Sequence, residues 1–397
     1  MRMLNCYYIT NMMASKLNVL QVIPKLGYGG AETGCYDIAH FLPENDCGSF
    51  LATSGGELLK FVKKDKVKLI RLPVHSKNPL LVLFNTLVLI IYILLFKINI
   101  VHARSRAPAW SCYFASIITR RIFVTTFHGT YNFKSNLKKF YNSVMLRAKL
   151  TIAGSNFIFS HINENYGEYL SKEKKLRVIF RGINVDYYNS KNISILKQEK
   201  LKQEWGLSAN KFTILLPGRL TYWKGQEKFI EALNILIEDF NYTNFQGIIL
   251  GSDQGRKVYS KKLINLVQRY SLNKKVKFIQ HCNDMPLAYS LADVVVSASI
   301  EPEAFGRVSV EAQSMGKPIV ASNIGGSKET IINKKTGFLY KHDDPRELAK
   351  ILNTVIQLSQ DELKLMGNEG RKNITKKFDV ETMCQSNLKE YKRLIKN

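Results

Sequence analysis

Cysteine is sparse and unorganised in this chain. The six cysteines, Cys6, Cys35, Cys47, Cys112, Cys282 and Cys384, are scattered, with no C-x-x-C and no Cys/His set at metal-ligand spacing. The sequence therefore signals neither a zinc site nor a disulfide framework, and a reducing cytoplasm is the natural compartment. Negative charge is also short: 32 Asp and Glu stand against 58 Lys and Arg, a formal charge of +26. Such an excess favours polyanions. Lysine is nevertheless spread over helix faces and loops, as in Lys200-Leu201-Lys202 and Lys274-Lys275, and no RNA- or DNA-binding motif is visible. That argues against nucleic acid and leaves two readings open, an anionic membrane or phospholipid-rich acceptor, and solvated lysine without a specific partner. Repeats and low-complexity tracts are absent. Residues 1 to 15 lack the apolar core and small-residue cleavage site of a secretory signal, and translation beginning at Met12 or Met13 is an alternative. Long apolar runs are limited to Leu80–Phe96, near the lower limit for spanning a bilayer and interrupted by Asn85 and Thr86. We expect a buried or interfacial helix there rather than a transmembrane span.

What is present is alternation. With 397 residues and 45% hydrophobic content, the chain is long enough for two domains with separate cores. Apolar, β-branched runs recur at residues 17–23, 98–102, 122–126, 150–153, 176–179, 212–216, 246–250, 276–279, 294–297 and 318–321, with amphipathic stretches such as 225–237 and 363–378 between most of them. That order predicts parallel βαβ units, hence an α/β fold. A polar, lysine-rich stretch from about 186 to 211, with a short helix and no strand signal, divides the runs into two sets. Two Rossmann-like, doubly wound domains facing a cleft are expected, with ligands beyond the carboxyl ends of their strands.

Four segments carry candidate chemistry. Glu303-Ala304-Phe305-Gly306-Arg307-Val308-Ser309-Val310-Glu311 places one carboxylate in a loop before a helix and a second within its first turns. Two such groups can hold different hydroxyls of one polyol while the helix N-terminus faces an anion, a combination that a sugar nucleotide presents. Gly27-Tyr28-Gly29-Gly30-Ala31-Glu32 follows the first strand, with Thr33 onward expected to be helical. It is either a phosphate- or sugar-approaching loop or a tight turn, and it fails the dinucleotide fingerprint because Glu32 stands where glycine is required. His128, after a strand and beside Gly129, is a hydrogen-bond donor to a substrate hydroxyl or a histidine satisfied within its loop; His102 ends its own strand. Arg219 and Lys224 lie between a strand and a helix, where two cations can converge on one diphosphate and neutralise a departing nucleoside diphosphate, or cap and solvate the surface.

Together, Gly29-Gly30-Ala31-Glu32, His128-Gly129, Gly218-Arg219 with Lys224-Gly225, and the E-x7-E of Glu303 and Glu311 resemble the retaining glycosyltransferases of family 4, which have the GT-B fold. The resemblance covers nearly the whole chain in the family's order. It implies that Glu303, His128, Arg219 and Lys224 are catalytic, with Glu303 binding hydroxyls of the donor sugar and His128 near that sugar. It implies that Arg219 and Lys224 hold the diphosphate beside Gly29 and Gly30, that the backbone of Ala304, Phe305 and Gly306 lies near sugar and phosphate, and that Glu311 binds the ribose hydroxyls. No D-x-D occurs in the chain, so no metal or other cofactor is expected and the two cations take over charge neutralisation. Where many relatives carry Pro-Asn-Gly before Val-Asp, this chain has Phe180-Arg181-Gly182-Ile183-Asn184-Val185-Asp186. Arg104 and Arg106, after a strand, are candidates for an anionic acceptor. The expected domains are 1–190 on the acceptor side, 191–378 for the donor, and a C-terminal helix in 379–397 returning to the first domain. The expected function is transfer of a sugar from a UDP- or GDP-linked donor to a glycan or lipid-linked acceptor in envelope polysaccharide or lipopolysaccharide synthesis. The expected location is cytoplasmic, peripheral at the inner face of the membrane. A sugar-nucleotide 2-epimerase of similar fold and a basic membrane-binding scaffold are the alternatives.

Overall fold

A computed structural model describes residues 17–170 and 175–396. Cys6 and the alternative starts at Met12 and Met13 lie outside the described residues. The chain forms two compact units, one running to Gly182 and resuming at Val380, the other spanning Ile183–Asp379.

In the first unit, strands β1 (Asn18–Ile23), β2 (Gly48–Thr53), β3 (Val67–Arg71), β4 (Ile100–Ala103), β5 (Ile122–Phe127), β6 (Leu150–Ala153) and β7 (Lys175–Val178) form a parallel sheet in the order β3-β2-β1-β4-β5-β6-β7. Every residue of β1 and β4 is buried, as strands covered on both faces require. β2 escapes sequence reading because Gly48, Ser49, Ala52 and Thr53 dilute its apolar signal. It is buried throughout because its neighbours in the sheet, not its own side chains, exclude water. The second unit holds β8 (Phe212–Pro217), β9 (Phe245–Leu250), β10 (Val276–Ile279), β11 (Val294–Ser297), β12 (Ile319–Ser322) and β13 (Phe338–Tyr340) in the order β10-β9-β8-β11-β12-β13. β13 pairs parallel to β12 and is the sheet's last strand.

Helices between the strands follow their apolar spacing. In Gln226–Glu238, Phe229, Ile230, Leu233 and Leu236 fall on one face and are fully buried against β8 and β9 residues such as Ile214 and Ile249. Each such side chain contributes about 1.5–3 kcal/mol by leaving water. The lysine-rich divider contains the helix Ile195–Glu204.

The units meet at Gly182/Ile183 rather than at 190, because residues 183–190 are bonded into the second unit. Ile183 N donates to Phe378 O at 2.8 Å, and Ser314 Oγ to Tyr188 O at 2.9 Å. Beyond Asp379, the helix Val380–Lys396 buries Met383, Cys384, Leu388, Tyr391 and Leu394 with Val19, Ile38, Ile100 and Val124 in the first unit's core.

His102 belongs to that core rather than to a site. Fully buried, it has Nδ1 2.6 Å from the Tyr391 hydroxyl and Nε2 2.8 Å from Thr126 Oγ1, tying β4 to β5 and to the C-terminal helix. Burial, and secondarily the Arg104 charge, hold its pKa well below the usual histidine value. The ring is thus neutral when folded but takes a proton in the unfolded chain below about pH 6.5. Unfolding then binds protons, so stability falls as pH drops through that value. Urea midpoints between pH 7.5 and 5.5 should show this decline, and His102→Gln should flatten it; an unchanged slope would rule out His102 as its source.

Candidate active site

Strand order decides where the site of the second unit lies. β8 and β11 are neighbours, yet their chain connections run to opposite sides, to β9 and to β12. The loops leaving their carboxyl ends, 218–225 and 298–306, therefore flank the crevice at the switch point of the sheet. There Lys224 Nζ lies 2.7 Å from Glu303 Oε1, with side chains only 12% and 11% exposed. Ser299 Oγ donates to the same carboxylate oxygen at 2.5 Å. Burial alone would raise the Glu303 pKa, but the Lys224 charge and the hydroxyls of Ser299 and Ser297 outweigh it and hold the carboxyl below its ordinary value. Glu303 is thus a fixed anion at neutral pH.

The backbone is shaped to make this pair. Gly225 sits at φ +68°, and a Cβ there would run into the carbonyl oxygen of Ala298 in the facing loop. Ile300 N donates to Trp223 O at 2.9 Å, closing the two loops on each other. The Lys224 ammonium also lies 4.7 Å from the centre of the Trp223 ring. On the other side of Glu303, Gly325 (φ +57°) leaves no room for a side chain beside the Glu303 backbone, and Gly326 N donates to Glu303 O at 2.7 Å. Phe305 is buried, its ring 5.8 Å from that of Phe378, and so anchors the 303–306 loop. Gly306 caps the helix Arg307–Ser314, whose N-terminal N–H groups and dipole favour an anion beside the same loop.

Glu311, the second carboxylate, is 6% exposed and clamped by three donors. Tyr188 OH at 2.9 Å and Arg307 Nε at 2.6 Å reach Oε1, and Tyr289 OH at 2.7 Å reaches Oε2. Burial, then the Glu311 charge, raises the pKa of both phenols, so they remain protonated donors. Sequence reading missed Arg307 and both tyrosines; the tyrosines arrive from distant segments, and only the i, i+4 spacing of Arg307 and Glu311 could have signalled a partner. Arg219 is exposed and pairs with no carboxylate among the described residues, while its carbonyl accepts from Gln226 Nε2 at 2.9 Å. The structure thus joins Lys224 to Glu303 directly and leaves the Arg219 side chain out of that contact.

In the first unit, the glycine loop and His128 meet through Arg181. The helix Gly30–Phe41 starts earlier than the expected Thr33, with Gly29 as its N-cap, and a Cβ on Gly30 would lie 2.9 Å from Arg181 Nη1. Arg181 Nη2 donates to His128 O at 2.7 Å. Both His128 ring nitrogens are buried and have no hydrogen-bond partner among the described residues. Burial first, then the charges of Arg181 and Arg104, push its pKa well down, leaving a neutral imidazole at neutral pH. Arg104, 3% exposed at the end of β4, has a buried, unpartnered Nε. Arg106 is occupied: its guanidinium lies 4.2 Å from the Tyr131 ring centre and Nη1 donates to Asn142 Oδ1 at 3.0 Å.

The chain matches known proteins along both units. Residues 28–187 match the model of Glycosyltransferase Family 4, and residues 197–373 that of Glycosyl transferases group 1. A crystal structure of a glycosyltransferase from Rickettsia africae is 36% identical with a TM-score of 0.88, covering 96% of this chain and 99% of that one. HepE from Anabaena, solved in complex with UDP and glucose, is 26% identical with a TM-score of 0.81, covering 95% of this chain and all of that one (100%). The capsular polysaccharide biosynthesis glycosyltransferase CapM of Staphylococcus aureus is 27% identical over 56% of this chain and 58% of its own length. Two parallel α/β units in these strand orders, with matches of that extent, make the chain a member of the group 1, family 4 glycosyltransferases of GT-B fold.

Proposed function

We propose that this glycosyltransferase moves a sugar from a UDP- or GDP-linked donor to a glycan or lipid-linked acceptor, with retention of anomeric configuration and without a metal ion. The observation that carries the reading is the Lys224–Glu303 pair at the switch point of the second sheet. An ionised carboxylate there accepts hydrogen bonds from sugar hydroxyls. The ammonium 2.7 Å away, the exposed Arg219 and the helix N-terminus behind Gly306 supply positive charge for a diphosphate. As the bond between the anomeric carbon and the phosphate oxygen breaks, negative charge grows on the leaving group, and these preorganised cations stabilise it in the transition state. In the retaining course that the family resemblance implies, the acceptor oxygen attacks the same face and its proton passes to the departing phosphate.

Other residues take supporting roles in this reading. The clamp of Tyr188, Tyr289 and Arg307 fixes the Glu311 carboxylate for ribose hydroxyls, and neutral His128 hydrogen-bonds a substrate hydroxyl. Arg104, cationic and without a carboxylate partner among the described residues, favours an acceptor bearing an anionic group. The UDP complex of HepE supports a UDP-linked donor, and the name of CapM supports a place in capsular polysaccharide biosynthesis.

Thermal-shift measurements with UDP-, GDP-, ADP- and CMP-sugars test the donor. A UDP- or GDP-sugar at a hundred times its Kd should stabilise the fold by about 2.7 kcal/mol, and silence from both would sink the assignment. Glu303→Gln should lower kcat/KM by about a hundredfold or more with the fold preserved; near-normal turnover would remove Glu303 from the site. Excess EDTA should leave the rate unchanged and NMR of the product should show the donor's anomeric configuration, whereas inactivation by EDTA or an inverted product would overturn the proposed mechanism.

A further inference from the structure

Between Lys66 and Asn163 the chain has fourteen lysines and arginines and no aspartate or glutamate. Within that span the helix Pro79–Leu95 is built inside out. Its polar residues face the protein: Asn85 and Thr86 are buried beside Leu89 and Ile93, Asn85 Nδ2 donating to Pro73 O at 3.2 Å and Thr86 Oγ1 to Val82 O at 2.8 Å. Most of its large apolar residues face outward, with Leu80 76% and Ile91 61% exposed and Leu83, Phe84, Leu87 and Leu94 exposed with them. At helical spacing these side chains fall within an arc of roughly 100°, a continuous apolar stripe bracketed by Lys77 and Lys97.

A second helix widens the stripe. Arg106–Ile118, joined to the first where Ser111 Oγ donates to Val82 O at 3.1 Å, exposes Phe114, Ile117 and Ile118 and runs into Arg120 and Arg121. Solvated lysine alone does not explain leucines turned outward over a buried asparagine. A protein partner would meet the apolar stripe, yet it gives no reason for the absence of every carboxylate from the surrounding 98 residues. Exposed apolar side chains framed by cations alone match one surface chemistry, acyl chains beneath anionic headgroups. The helix is 17 residues long, about 26 Å, and among the described residues no helix is long and apolar enough to cross a membrane. Lying in the interface is the arrangement that satisfies both facts.

We propose that this face of the first unit docks on a bilayer rich in anionic phospholipid. The helix Pro79–Leu95 lies in the plane of the membrane, its outward leucines among the acyl chains and Lys77, Lys97, Arg120 and Arg121 at the headgroups. The inference does not depend on which sugar is transferred, or on transfer at all.

Co-sedimentation of the full chain with vesicles tests it. Vesicles of mixed phosphatidylcholine and phosphatidylglycerol should bind about tenfold or more better than phosphatidylcholine alone, and added salt should weaken that binding. Leu87→Asp with Ile91→Asp should lower binding about tenfold at an unchanged circular dichroism spectrum and an unchanged thermal shift with nucleotide sugar. Arg120→Glu with Arg121→Glu should lower binding to the anionic vesicles alone, and decides the matter if the apolar variant does not fold. Absence of vesicle binding, equal salt-insensitive binding to both compositions, or a concentration-dependent dimer broken by the Leu87/Ile91 variant would overturn the proposal, the last by showing that a second copy of the chain covers the face.

Discussion

An ammonium and a carboxylate 79 positions apart in the chain are brought within 2.7 Å at the ends of two neighbouring strands, and the second unit is arranged around that contact. Removing both charges from water is costly, and such a pair adds little to stability over well-packed apolar groups. It is sustained here because the surroundings are committed to it. Ser299 and Ser297 bond the carboxylate, Gly225 lets the two loops touch backbone to backbone, and Gly325 and Gly326 hold the Glu303 peptide from the far side. A pair supported in this way is held in place by its surroundings, the preorganisation that the proposed function draws on.

The two carboxylates of the E-x7-E segment are treated differently. Glu303 meets one flexible cation and two hydroxyls, whereas Glu311 is gripped by two phenols and a guanidinium. The first partner set can be shared with an incoming ligand, since an ammonium has three donors and can bridge carboxylate and phosphate. The second acts as a rigid bracket that sets the direction of one carboxylate. Cationic surplus marks the first unit instead, where Arg104, in a stretch without acids, and Arg181 stand near a neutral histidine, and where the apolar helix Pro79–Leu95 turns most of its leucines to the outside.

Much of the architecture was legible because parallel strands covered on both faces must be apolar along their whole length. β1, β4, β5, β8, β9 and β11 declare themselves in that way. β2 did not, since Gly48, Ser49 and Thr53 are small or polar and are buried by neighbours rather than by their own character; β13, at three residues, is too short to carry a pattern. The turn-forming and charged positions of the candidate site, Gly218, Arg219, Lys224, Glu303 and Glu311, could be picked out from type and spacing, because chemistry at strand ends uses few residue kinds. Tyr188 and Tyr289 were not. Their hydroxyls reach Glu311 across 123 and 22 residues, and nothing local distinguishes them from other aromatics.

By itself, the order of apolar runs and glycine-rich turns determined a two-part α/β chain with a carboxylate pair and a cation pair at strand ends, because periodicity and residue type are local properties. Tertiary structure alone decided that Lys224 rather than Arg219 meets Glu303, that His102 is a pin in the core while His128 keeps its nitrogens unpartnered, and that most leucines of Pro79–Leu95 lie outside. In a helix apolar nearly all round, composition is the same on both faces. The burial of Asn85, Thr86, Leu89 and Ile93, and the bond from Asn85 to the carbonyl of Pro73 in the preceding loop, show which face turned inward.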